Sequence, residues 1–204
     1  MQIKNLYPGS YAANCYLVTE GDTAVLVDCT ASVQALTKAL GDTGAHLAAI
    51  LLTHGHFDHM LTLDAVKNAT GAPIYLMAGD SDLPGDGQKN AFGVFFGTEQ
   101  AYPEADRLIE DGEVLTFGAL TLRALNTPGH TRGSAVYLVG DVAFTGDTLF
   151  NAGVGRCDLY GSDASALMRS LNTIATLSPD TVIYPGHGRS TQLSRALDAI
   201  KGFI

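Results

Sequence analysis

The chain has 204 residues, 46% of them hydrophobic and 16% charged, which suits one domain with a sizeable buried core over residues 1–204 and excludes a disordered polymer. Twelve Lys and Arg against 21 Asp and Glu leave a net charge of −9, which works against neutralising a phosphate backbone and so against nucleic acid as a partner. No run of about 18 apolar residues occurs, and Met1-Gln2-Ile3-Lys4-Asn5-Leu6 carries no signal pattern, so neither a membrane nor secretion is expected. Cys15, Cys29 and Cys157 are odd in number and far apart, so the expectation is free thiols in a reducing cytoplasm.

In chain order, Tyr11 to Thr19 and Thr23 to Cys29 read as strands, followed by a helix over Ser32 to Leu40 with Ser32 as its cap. The continuous apolar run Leu47 to Leu52 suits a strand buried on both faces. It delivers Thr53 and a histidine cluster at its C-terminal end, where α/β sheets place their chemistry. Met60 to Thr70 reads as a helix, Gly71-Ala72-Pro73 breaks it, and Ile74 to Met77 is a further buried strand. Pro84 to Gly97 holds no period and reads as a long loop over the site. From Arg107 to Gly146, the turn signals Asp111-Gly112, Phe117-Gly118, Pro128-Gly129 and Gly140-Asp141 suggest a β meander. Asp163 to Leu177 is expected as a helix, Thr181 to Tyr184 as a strand and Ser190 to Phe203 as a last helix. Strands mixed with helices throughout predict an α/β or α+β layered fold.

Three of six histidines fall in His54-Gly55-His56-Phe57-Asp58-His59. His54 and His56, two residues apart, can grip one ion from one side, while Asp58 and His59 are directed towards a second. Imidazole nitrogens suit a transition metal better than magnesium or calcium. Three more apolar runs end in a glycine beside a ligand-type residue: Gly129-His130, Gly146-Asp147 and Gly186-His187. Glycine there lets the backbone approach the site closely. Grouping His54, His56 and His130 on one ion, Asp58, His59 and His187 on the other, with Asp147 bridging, leaves room for a shared water. Asp28 is expected as a structural acceptor for a loop or a ligand histidine. Cys157 is expected as a small buried thiol and His46 as ordinary surface.

These residues resemble the metallo-β-lactamase superfamily across Asn14-Cys15-Tyr16-Leu17-Val18, Thr53 to His59, Thr127 to Thr131, Gly146 to Asp158 and Tyr184 to Gly188. The short glyoxalase II-like hydrolases are the most similar. The resemblance implies a four-layer αββα sandwich of two mixed β-sheets, with the ligand pairing given above. The cofactor implied is two zinc ions, with iron or manganese as alternatives in one or both sites. A single helix after His187 stands where glyoxalase II carries a larger helical region, which weakens glutathione thioesters as the substrate.

The expected reaction is hydrolysis of a small thioester or ester by a hydroxide bridging two metals. Asp58 would orient the water or take its proton, and Arg156 would hold a substrate carboxylate or else pair with Asp158. The rival readings are a mononuclear iron oxidoreductase like the persulfide dioxygenases, whose Gly155-Arg156-Cys157-Asp158 segment is similar, and a lactonase. The expected assembly is a monomer or small homo-oligomer, with a small molecule as the sole partner.

Overall fold

The computed structural model describes residues 1–202, so the Phe203 end of the last expected helix lies outside the described residues. Two six-stranded mixed sheets face one another. The first runs in the order β1 (Gln2–Asn5), β2 (Tyr16–Glu20), β3 (Thr23–Val27), β4 (His46–Leu51), β5 (Ile74–Met77) and β6 (Arg107–Ile109). It is antiparallel through β3 and parallel from there on. The second sheet is β7 (Val114–Phe117), β8 (Leu120–Asn126), β9 (Ala135–Val139), β10 (Val142–Gly146), β11 (Val182–Pro185) and β12 (Thr191–Gln192). Its first four strands form an antiparallel meander, and β11 joins parallel to β10.

The alternation of side chains along a strand sorts the core into three layers. Val18, Val25, Val27 and Leu51 meet Leu122, Tyr137 and Phe144 between the sheets. Leu17, Leu26, Ile50 and Leu52 point the other way, onto α1 (Val33–Thr43) and α2 (Leu63–Thr70). Val136, Ala143 and Ile183 meet α4 (Ala164–Ile174) and α5 (Leu193–Ile200) behind the second sheet, and the short helix α3 (Phe92–Phe96) interrupts the β5–β6 connection. Each central strand is buried on both faces, which is why it reads as an unbroken apolar run. The expected αββα layering is what the chain forms.

Several local expectations are corrected. The helix expected from Met60 starts at Leu63, because Thr62 Oγ1 donates to the Ala31 carbonyl at 2.8 Å and holds the chain outside helical geometry. His56 leads instead into a short 3₁₀ turn, Phe57–His59. The Pro84 to Gly97 loop contains α3, whose phenylalanines pack on Phe57. Asp111-Gly112 does not close a hairpin within one sheet. It carries the chain from β6 in the first sheet to β7 in the second. Thr191 and Gln192 pair with β11 before α5 begins. Gln2–Asn5, where no element is expected from sequence, forms an edge strand on β2.

Candidate metal centre

All seven expected ligands converge at one edge of the sandwich, beyond the C-terminal ends of β4, β8, β10 and β11. Three groups have donor atoms within 4.8 Å of one another: His54, His56 and His130; Asp58, His59 and His187; and His54, His59 and Asp147. The first two are the expected pairing, and the third places Asp147 between them. His54 Nε2 lies 3.1 Å from His56 Nδ1, which lies 2.9 Å from His130 Nε2. Zinc–nitrogen bonds of about 2.0–2.1 Å in a tetrahedron separate neighbouring donors by about 3.3 Å. The imidazole spacing is thus close to that of an edge of a coordination polyhedron.

Unsatisfied atoms make the same point. His59 Nε2 and Asp147 Oδ1 are buried without a hydrogen-bond partner and lie 3.3 Å apart. Orphaned buried polar atoms cost stability unless something satisfies them. A cation held among them would satisfy them, so the donor set fits a transition metal. Asp58 Oδ2 sits 3.1 Å from His187 Nε2, and Asp147 Oδ2 is 3.7 Å from both His130 Nε2 and His187 Nε2.

The electrostatics favour the ligating forms of His54, His56 and the two carboxylates. Burial, then the neighbouring His59 and His130, holds His54 well below the usual histidine range. Burial, then His130, brings His56 down to about 3. Both are therefore neutral imidazoles with a free lone pair. Burial alone would lower His59, but the carboxylates of Asp28 and Asp147 outweigh it and raise the group. Asp147 runs the opposite way: burial would raise it, and His59 followed by His130 and His187 lowers it. Asp58 is also lowered, its burial offset first by the His187 hydrogen bond.

Asp28 takes the expected structural role. It ends β3 at φ +58°, accepts from Thr53 N at 2.8 Å, and accepts from the His59 Nδ1 proton at 2.8 Å, leaving Nε2 for the centre. His130 Nδ1 donates to the Arg156 carbonyl at 2.8 Å, which fixes its tautomer in the same way. Gly186 lies where any Cβ would strike Asp147 Oδ1 and come within 2.6 Å of His59 Cε1, so the residue before His187 must lack one.

Asp80 went unnoticed in the sequence. Fully buried, it accepts from Gly55 N at 3.0 Å, Thr131 Oγ1 at 2.7 Å and Gly133 N at 2.7 Å, tying the His54–His56 loop to the His130 loop. The signal present was its place three residues beyond β5, like the other functional residues beyond strand ends. Cys157 is partly buried and packs among the apolar residues behind the second sheet rather than lining the cleft. Arg156 does line it, with Nε and Nη2 donating to Asp158 Oδ1 and Oδ2 at 2.6 and 2.7 Å.

A family model described as "Metallo-beta-lactamase superfamily" matches residues 8–187. The chain belongs to this superfamily. Within it, the probable metallo-hydrolase YqgX of Bacillus subtilis is 34% identical, covering 95% of this chain and 93% of its own. The crystal structure of BLEG-1 B3 metallo-beta-lactamase superposes with a TM-score of 0.90 at 33% identity, covering 97% of each chain. The crystal structure of TTHA1623 in a di-iron-bound form gives a TM-score of 0.84 at 33% identity over 100% of both chains. Among the described residues, no helix is long and apolar enough to cross a membrane.

Proposed function

We propose that the chain is a metal-dependent hydrolase that holds two transition-metal ions and cleaves a small thioester or ester, a glyoxalase II-like reaction. The observation that carries the proposal is the pair of donor clusters with Asp147 grouped beside one histidine of each; five of these residues (His56, Asp58, His130, Asp147 and His187) line one cleft of about 390 Å³. Two ions bound there would supply Lewis-acid polarisation of a carbonyl and a water acidic enough to ionise near neutral pH.

The side chains divide the remaining work. His54, His56 and His59 are buried and rigidly oriented, whereas the His187 side chain keeps 36% of its exposure and stands where substrate enters. Asp58, also partly exposed, presents its carboxylate beside His187 and can orient an attacking water or take its proton. Its lowered pKa keeps it ionised for that role. The same feature limits the leaving group. The cleft's two carboxylates are held ionised and its histidines are ligands, so no side chain lining it is an obvious proton donor at neutral pH. A thiolate or a stabilised alkoxide departs without such help, whereas an amine does not, which favours a thioester over an amide.

Zinc suits four-coordinate imidazole and carboxylate sites, and the di-iron form of TTHA1623 makes iron the alternative to test. The test is metal analysis of the purified chain, with hydrolysis of S-lactoylglutathione and simple thioesters and oxygen uptake with glutathione persulfide measured on the same sample. About two metals per chain with thioester hydrolysis is the expected result. One iron per chain with oxygen uptake would replace the hydrolase reading by an oxidoreductase, and turnover of lactones alone would narrow it to a lactonase.

A further inference from the structure

The walls of the cleft differ in character from its floor. Above the ligands stand Phe57, Phe95, Phe150, Val154 and Leu159, and the one Lys or Arg lining it is Arg156. That cation is spent: its fork is closed on Asp158, and its guanidinium carbon lies 5.6 Å from the centroid of the Phe95 ring. A carboxylate-bearing substrate would therefore find no free cation on the walls. Phe95 is 53% exposed although it sits on a cluster with Phe57, and its neighbours Val94 and Phe96 are 60% and 47% exposed. Large apolar side chains gathered at the lip of a functional cleft mark a binding surface.

Resting on the hydrolase reading, we infer that the substrate is a neutral thioester or ester whose acyl group is bulky and apolar, seated against Phe95, Phe150, Val154 and Leu159 with its carbonyl at the metal ligands. Because Arg156 is already paired with Asp158, an anionic acyl group would meet no unpaired cation on these walls and would lose hydration against their apolar side chains, so such groups are disfavoured.

The experiment uses the metal-loaded protein and N-acetylcysteamine thioesters of acetate, butanoate, hexanoate and succinate. A fully buried methylene is worth about fourfold. Against a half-open wall, kcat/KM is expected to rise on the order of tenfold from acetyl to hexanoyl, with succinyl below butanoyl. Phe95→Ala should flatten that slope. Uncleavable 2-octanone, followed by saturation-transfer NMR, reports binding without turnover and should lose its signal in the same variant. If no thioester is cleaved but 2-octanone binding depends on Phe95, the hydrolase reading falls and the apolar cleft stands. A flat acyl series, a preference for succinyl, or 2-octanone binding indifferent to Phe95→Ala overturns the inference while leaving the hydrolase reading intact.

Discussion

At the scale of single residues, the centre is built as much by acceptors that touch no ion as by its ligands. Asp80 is the sharpest case. Both its oxygens face donors, so an amide in its place would set an N–H against at least one of them. Asp80→Asn is expected to cost about 1–3 kcal/mol, read as a lower urea midpoint. It should also weaken metal retention by the His54, His56 and His130 group, so that dialysis against a weak chelator leaves about one metal per chain where the parent keeps two. Equal retention in both proteins would confine Asp80 to a folding role. The thiols give a second prediction. Burial pushes Cys15 up to about 11 and raises Cys29 further, while Cys157 is only partly covered. Native protein should therefore show one reactive thiol and denatured protein three. Burial, then Asp158 and Asp163, raises Cys157, so its thiolate is scarce at neutral pH, and its alkylation rate should keep climbing past the ordinary thiol midpoint of about 8.5. Three thiols titrating in the native state would contradict the burial of Cys15 and Cys29.

At the scale of elements, legibility followed the range of the interaction. His54 to His59 was readable because six consecutive residues state the whole motif, and β5 was readable because two-sided burial writes itself as Ile74-Tyr75-Leu76-Met77. Asp80 was not, because its partners lie 25 to 53 residues away. Nor was the sheet membership of β6: its three residues, Arg107–Ile109, are exposed at two positions and find their place only through parallel pairing with β5. Helix α4 shows how an element and the site share a residue. Asp163 caps it, accepting from Ala166 N at 3.0 Å, while its own backbone N–H donates to the Gly129 carbonyl at 2.8 Å. Gly129, at φ +145°, lies so close to the backbone of Leu167 that a Cβ would not fit, so the turn carrying His130 rests directly on the first turn of α4. Asp163→Ala should lower stability by about 1 kcal/mol through the lost cap. For a chain of this length that is about 2–4 °C in melting temperature, and Asp163→Asn should restore most of it. If the asparagine variant melts with the alanine variant, the cap is not what Asp163 contributes.

At the scale of the whole molecule, the two sheets meet through a core that holds them from both sides, yet the edge where their strand ends converge is left with buried atoms that protein alone does not satisfy. His54, His56, His59 and His130 are each less than 4% exposed, and their nitrogens face one another rather than water. In a protein without metal this arrangement is a weak point in the fold, because the neutral imidazoles of His54 and His56 are crowded together and an unpartnered Asp147 oxygen is shut away from solvent. Metal binding is therefore coupled to global stability as well as to chemistry. A ligand that binds only the folded state at a hundred times its dissociation constant adds about 2.7 kcal/mol, which here corresponds to about 5–11 °C. Calorimetry of the metal-loaded chain against the same chain stripped by a strong chelator should show a melting-temperature loss of at least that order, recovered on adding back zinc but not magnesium, since the donors are nitrogen-rich. A stripped protein that melts at the same temperature as the loaded one, with metal analysis confirming its removal, would mean that the strand-end loops carry the ions without depending on them.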